Sequence, residues 1–179
     1  MKAARAFVAL GSNIDPDLHI KAAVLALASH VQVVAISNVY CTDAEERPEQ
    51  PRFYNCVVEI RTEIPAWDLK FQVLRTIEDA LGRHRTSDKF APRTIDLDLI
   101  LYDELVVNAD GLVLPDPDII RRPFLALPLS ELAPDLTLPE MSLRIAEVAS
   151  AMRAHKVQLL LNYTAQLRKA LKNTLADDF

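Results

Sequence analysis

Thr94-Ile95-Asp96-Leu97-Asp98-Leu99-Ile100-Leu101-Tyr102 is the stretch on which the fold turns. Its alternation puts Ile95, Leu97, Leu99 and Leu101 on one face of an extended segment, and Thr94, Asp96, Asp98, Ile100 and Tyr102 on the other. This pattern predicts a central strand whose two carboxylates leave the same face, with α-carbons ~6–7 Å apart. The preceding stretch, Arg83 to Arg93, carries a formal charge of +3 inside a chain whose net charge is −5.

Outward from the strand, Pro65 opens a predicted helix in which Leu69, Val73, Ile77 and Leu81 recur every fourth residue and Gly82 supplies the C-cap. Further back, Ala6 to Leu10 reads as a strand ending at Gly11-Ser12-Asn13. Asp15 and Pro16 suit the N-cap and first turn of an amphipathic helix over 16–29. Strands are predicted at about 31–40 and 53–61, joined by a polar, proline-containing connection over 42–52. Residues 115–139 hold six of the eleven prolines, which predicts short helical turns and loops, one helix starting at Pro123. Residues 142–175 read as one or two helices with a strand at 157–161. The alternation of helices and strands predicts an α+β sandwich.

Composition narrows the function classes. The chain has 179 residues, half of them apolar and a quarter charged, enough for one compact domain with a substantial core. Its three glycines, Gly11, Gly82 and Gly111, are too dispersed for a Walker A loop or a dinucleotide fingerprint, so phosphate must be held by side chains. Cys41 and Cys56 give no disulfide framework and, with four scattered histidines, no zinc finger, which fits a reducing compartment. The acidic balance argues against whole-surface binding to nucleic acid or anionic membrane. Apolar runs fall well short of the ~20 residues that cross a bilayer, and no signal-peptide core is seen, so the cytoplasm is expected.

Two buried carboxylates at this spacing repel each other unless a cation lies between them, and an all-oxygen donor set favours magnesium over zinc. A structural ion-pair network with arginines is the competing reading of a bare Asp-x-Asp. Arg93 stands three residues before Asp96, and Arg83 and Arg85 flank the same loop. Carboxylates, metal and guanidiniums together describe phosphoryl transfer, in which the protein supplies position and charge compensation.

Five blocks carry a resemblance: Ala9-Leu10-Gly11-Ser12-Asn13, Phe53-Tyr54-Asn55, Ile77-Glu78 with Leu81-Gly82-Arg83, Pro92-Arg93-Thr94-Ile95-Asp96-Leu97-Asp98, and Pro128-Leu129-Ser130-Glu131-Leu132-Ala133-Pro134. In this order and spacing the chain resembles the 6-hydroxymethyl-7,8-dihydropterin pyrophosphokinase family over about residues 5–150. The resemblance implies a ferredoxin-like α+β sandwich, a mainly antiparallel sheet flanked by helices. That domain would occupy 1–150, and 151–179 would be a helical C-terminal extension packed on it or on a partner subunit. The implied reaction moves pyrophosphate from ATP to the hydroxymethyl group of a reduced pterin in folate synthesis, releasing AMP, with two magnesium ions (Mg2+). Partners would be the small-molecule substrates alone, in a monomer or weak homodimer.

By the same resemblance, Asp96 and Asp98 hold the metals and Arg83 and Arg93 act on the phosphates, Arg83 entering as its loop closes. Arg85 and Arg122 assist ATP, Glu78 and Leu99 lie near the nucleoside, and Phe90 and Asp116 stand at further ATP-binding positions. Thr42 and Asn55 meet the polar pterin edge, and Phe53 and Phe124 its two faces, as a flat heteroaromatic ring requires. Departures concern the nucleotide. Asp116 lies between Pro115 and Pro117 where the family has histidine, Gly111 where some members have arginine, and Phe90 where many have tryptophan. The 43–47 run also lacks the family's proline and glycine. A diverged pterin-binding paralogue with little ATP use, or a pyrophosphokinase with another alcohol acceptor, are the alternatives.

Overall fold

The computed structural model describes residues 2–44, 47–88, 90–153, 155 and 157–177. Glu45 and Glu46 of the 43–47 run and Lys89 of the basic loop lie outside them. β1 (Ala4–Ser12), α1 (Pro16–Ala28), β2 (Gln32–Ile36), β3 (Tyr40–Thr42), β4 (Phe53–Thr62), α2 (residues 66–80) and β5 (Asp96–Tyr102) follow one another. β1 pairs antiparallel with β4 on one side and β5 on the other, and β4 takes both β2 and β3 on its far side. With β2 and β3 counted as one broken strand, this is the β-α-β-β-α-β arrangement of a ferredoxin-like sheet. Then come the hairpin β6 (Val107–Ala109) and β7 (Leu112–Leu114), a 3-10 turn (Pro117–Ile120), and α3 (Pro123–Leu132). The ribbon β8 (Thr137–Leu138) and β9 (Leu143–Arg144), α4 (Ile145–Met152), β10 (Gln158–Leu159) and α5 (Leu161–Asp177) complete the order.

Both faces of the sheet are covered, which explains the unbroken apolar run of β1. Ala6, Val8 and Leu10 face a core shared with Ile20, Val24 and Leu27 of α1 and Leu69, Leu74 and Ile77 of α2. Phe7 and Ala9 face a second core with Leu125, Ala126 and Leu129 of α3 and Ile145 of α4. Each such side chain taken from water contributes ~1.5–3 kcal/mol. Pro16 and Pro123 start their helices as expected, and Gly82, at φ 75°, ends α2.

The structure corrects five expectations. The strand read at 31–40 is two strands, because the amides of Asn38 and Val39 leave the ladder for side-chain partners, while the Ser37 amide still donates to the Val57 carbonyl (3.0 Å). The Asn38 amide donates to Glu131 Oε2 (2.7 Å) and the Val39 amide to Thr164 Oγ1 (2.9 Å). Asp15 precedes α1 in the left-handed region (φ 42°) and its side chain makes no cap; its carbonyl instead accepts from Leu18 and His19. A π turn at Leu69–Leu74 inserts an extra residue into α2, so Leu74 takes the fully buried place that simple periodicity gives to Val73. β5 is an edge strand, not a central one. Its outer backbone groups are taken by non-strand partners, Glu78 Oε1 accepting the Leu97 amide (2.9 Å) and the Asp116 amide donating to the Ile100 carbonyl (2.9 Å).

The last correction concerns the deciding strand itself. Phe7 pairs with Leu101 but Val8 with Leu99, leaving Ile100 as the extra residue of a β-bulge. Ile100 and Leu101 therefore both enter the second core, while Tyr102 returns to the first beside Leu97 and Leu99. Asp96 and Asp98 keep the shared face that the alternation gives them.

Candidate active site

Three adjacent strands build the floor. Register sets Asn55 opposite Gly11 and Gly11 opposite Asp96, and one step along sets Ala9 opposite Asp98. The two positions facing the carboxylates across β1 are thus the smallest residues, which opens a cleft of about 290 Å³ on the α3 side of the sheet. Gly11 lets the strands sit close here: a Cβ there would stand 3.1 Å from Asn55 Oδ1, tight enough that the amide would have to shift. Thr42, Asp43, Ala44 and Phe53 wall one end, and Phe124 and Leu125 of α3 the roof. Asp116, Asp118 and Arg122 wall the other, with Gln50, Phe90 and Arg93 at the rim.

The cleft therefore brings together ten of the fourteen residues named from the sequence: Thr42, Phe53, Asn55, Phe90, Arg93, Asp96, Asp98, Asp116, Arg122 and Phe124. Arg83 adjoins it, its Nη2 3.8 Å from Asp96 Oδ1 and its side chain largely buried. Arg85, Glu78 and Leu99 do not line it. Glu78 is buried beneath β5, held by the Leu97 amide and by Arg85. Leu99 packs into the first core, on the face opposite the carboxylates, so its side chain has nothing to offer a ligand in this cleft. Asp43, Gln50 and Asp118 line the cleft without having been singled out in the sequence. Gln50 and Asp43 sit in a polar connection that carries no chemical pattern, and Asp118 was legible only as the second acid after Pro115.

At the pterin-facing end named from the resemblance, polar groups are matched. Asn55 Nδ2 donates to Thr42 Oγ1 (2.9 Å), both residues being buried. Asn13 Oδ1 accepts the Arg93 amide (2.8 Å), tying the β5 entrance to the end of β1. The Arg93 guanidinium lies 5.8 Å from the Phe53 ring centroid and 2.5 Å from Asp96 Oδ2. Asp96 is thus ion-paired, as the structural reading of the acid pair requires.

Asp98 is different. It makes no ion pair among the described residues; it opens onto cleft solvent but is surrounded by protein and by acids. Desolvation first, then Asp96 and Asp116, push its carboxyl up to about 7, against a smaller opposing pull from Lys70. Burial likewise raises Asp116, whose Oδ1 caps the 3-10 turn by accepting the Asp118 amide (2.8 Å). Arg122 pairs with Asp118 (2.7 Å), and Asp118 acts on Asp116 as a like charge against an opposing pull from Lys70. Burial lowers Arg83, and Arg83 Nε and Thr94 Oγ1 are buried without a hydrogen-bond partner among the described residues. Cavity-facing acids penalised by each other and an unsatisfied guanidinium donor are what a cation and an anion together relieve. Among the described residues no three His, Cys, Asp or Glu side chains enclose a metal, so the fit is to an ion held by two carboxylates and completed by water and ligand oxygens.

A family model for 7,8-dihydro-6-hydroxymethylpterin-pyrophosphokinase (HPPK) matches residues 7–134. The chain is 38% identical over 139 residues to the 2-amino-4-hydroxy-6-hydroxymethyldihydropteridine pyrophosphokinase of Pseudomonas aeruginosa, covering 76% of this chain and 85% of that protein. Against the Bacillus subtilis protein of the same name the identity is 36% over 130 residues, covering 71% and 77%. It is 30% identical over 159 residues to the folic acid synthesis protein fol1 of Pneumocystis carinii, of which it spans only 21%. Its fold superposes on Plasmodium falciparum HPPK-DHPS crystallised with pteroate at a TM-score of 0.68 and 13% identity, covering 84% of this chain and 42% of that one. From these matches, the chain belongs to the 7,8-dihydro-6-hydroxymethylpterin-pyrophosphokinase family.

Proposed function

We propose that this chain transfers pyrophosphate from ATP to the hydroxymethyl group of 6-hydroxymethyl-7,8-dihydropterin, as the names of its bacterial relatives state for them. One observation carries the reading: a row across β4, β1 and β5 sets Asn55, an aromatic-walled pocket and the Asp96–Asp98 pair in a single cleft. In that row the pterin ring lies between Phe53 and Phe124, its edge read by Asn55 and Thr42, and its hydroxymethyl arm reaches toward the carboxylates. The hydroxyl oxygen bonds to the β-phosphorus as the bond from that phosphorus to the α-phosphate oxygen breaks; AMP leaves with that oxygen, and the hydroxyl proton passes to water in the cleft.

Asp96 and Asp98 would hold magnesium, with two ions expected. Bound there, magnesium would supply charge neutralisation for the phosphates and help orient the attacking alcohol. The chain's own groups do the rest. Arg93 and Arg83 turn from Asp96 to the phosphate oxygens, so that the arginine-paired state is the resting state of the same machinery. Arg122 and Arg85 assist the nucleotide. Because the reacting phosphorus passes through a loose transition state, positioning and charge compensation carry the catalysis and a strong base is not required.

Protein, ATP, magnesium and the reduced hydroxymethylpterin are mixed and AMP and pterin diphosphate followed. Both products are expected in equal amounts. Pterin binding without AMP would establish the diverged binding protein, the reading that Asp116 beside Asp98 favours. AMP formed only with another alcohol would establish a changed acceptor.

A further inference from the structure

The last part of the chain reaches the cleft from behind. β10 pairs antiparallel with β3, Gln158 opposite Cys41 and Leu159 opposite Tyr40. β3 is three residues long and without β10 would be a bare sheet edge, with backbone groups unpaired. The Leu160 amide donates to the Val39 carbonyl (2.9 Å), and Arg168 Nη2 and Nε donate to the Ile36 carbonyl (2.7 and 3.1 Å). Leu167 and Leu171 of α5 anchor the segment in the first core.

From β10 the contact continues to the cleft wall. Gln158 Oε1 accepts from Arg52 Nη1 (3.0 Å), Arg52 Nε donates to Asp43 Oδ1 (2.8 Å), and Arg52 Nη2 to the Cys41 carbonyl (3.4 Å). Thr42 lies between Cys41 and Asp43 and accepts from Asn55. We infer that residues 157–177 are a positioning element for the pterin half of the cleft: β10 and Gln158 hold Arg52 across Cys41 and Asp43, and so fix Thr42 against Asn55. Gln158 is the positioning residue, since it supplies both the strand pairing and the side-chain acceptor. The inference rests on the pyrophosphokinase reading only for which substrate feels the change.

The test uses the full chain. Gln158→Pro breaks both contacts at an exposed site and is expected to raise KM for the pterin about tenfold, with kcat and KM for ATP within about twofold. Gln158→Ala, which keeps the strand, should raise it about threefold, and Gln158→Glu, which keeps an acceptor for Arg52, should restore the wild-type value. Backbone amide exchange is measured in parallel. Gln158→Pro should speed exchange at residues 40–44 and leave 55–60 unchanged. Unchanged pterin KM, or equal effects on both substrates, would overturn the inference. If the wild-type chain makes no AMP, the functional reading fails alone, and exchange decides: unaltered protection at 40–44 sinks the positioning role, faster exchange there upholds it.

Discussion

The two ends of the cleft are built on opposite principles. At the Asn55 end, strand register supplies the geometry and the polar groups satisfy one another: Asn55 with Thr42, Asn13 with the Arg93 amide. At the Asp98 end, four acids, Asp96, Asp98, Asp116 and Asp118, line the same space, Asp98 is pushed up to about 7, and the Arg83 Nε is buried without a partner among the described residues. The first end is complete without a ligand. At the second, the frame gathers acids at a cost that a proton or a bound cation offsets, which is how an electrostatically preorganised site differs from a recognition pocket.

Substitutions that separate the ends test this contrast. On the proposed reading, in which Asp98 would hold a metal that acts on the phosphates, Asp98→Ala should lower kcat about a thousandfold while pterin affinity by fluorescence titration stays within about threefold. Equal losses in both would erase the distinction. Gly11→Ala should act at the other end. Its Cβ, 3.1 Å from Asn55 Oδ1, must displace the amide, raising pterin KM about tenfold with a smaller effect on ATP.

Asp116→Asn keeps the turn cap but removes a charge, and should tighten ATP about fivefold by calorimetry, a like-charge penalty of ~1 kcal/mol. Unaltered ATP affinity would mean that Asp116 does not oppose the nucleotide. The smallest effect is on stability. A folded-state value near 7 lies above the ordinary aspartate value, so the folded protein takes up the Asp98 proton first and gains stability as pH falls from about 7 toward 4. Asp98→Asn should therefore be more stable than wild type at pH 8 by ~1 kcal/mol, after allowing for the solvent that reaches the group, and the gain should vanish near pH 4. Urea unfolding at the two pH values measures it.

Much of this was legible locally. The helix starts at Pro16 and Pro123, the Gly82 cap and the shared face of Asp96 and Asp98 follow from short-range chemistry. What long-range contacts decide was not. The break at Asn38 and Val39 depends on Glu131 and Thr164, remote in sequence, and the edge position of β5 was masked because its apolar residues Leu97, Leu99, Ile100 and Leu101 are all buried, as in an inner strand. Gly11 read as the start of a turn, yet it is a strand residue kept small by a neighbour on β4. Leu99 could be placed near a nucleoside from motif position alone, but which way it faces is set by pairing with Val8.

The irregularity at Ile100 also makes the strand sensitive to register. Tyr102 is tethered by its hydroxyl to the Ile64 carbonyl (2.9 Å), so its end of the strand is fixed. Flattening the bulge with every residue kept would rotate everything upstream half a turn and drive both acids toward the greasy side beneath α2, whereas deleting Ile100 would restore plain alternation with both acids still on the cleft face. Point changes there are a matter of degree, whereas a frame slip of one would turn the protein's chemistry inside out.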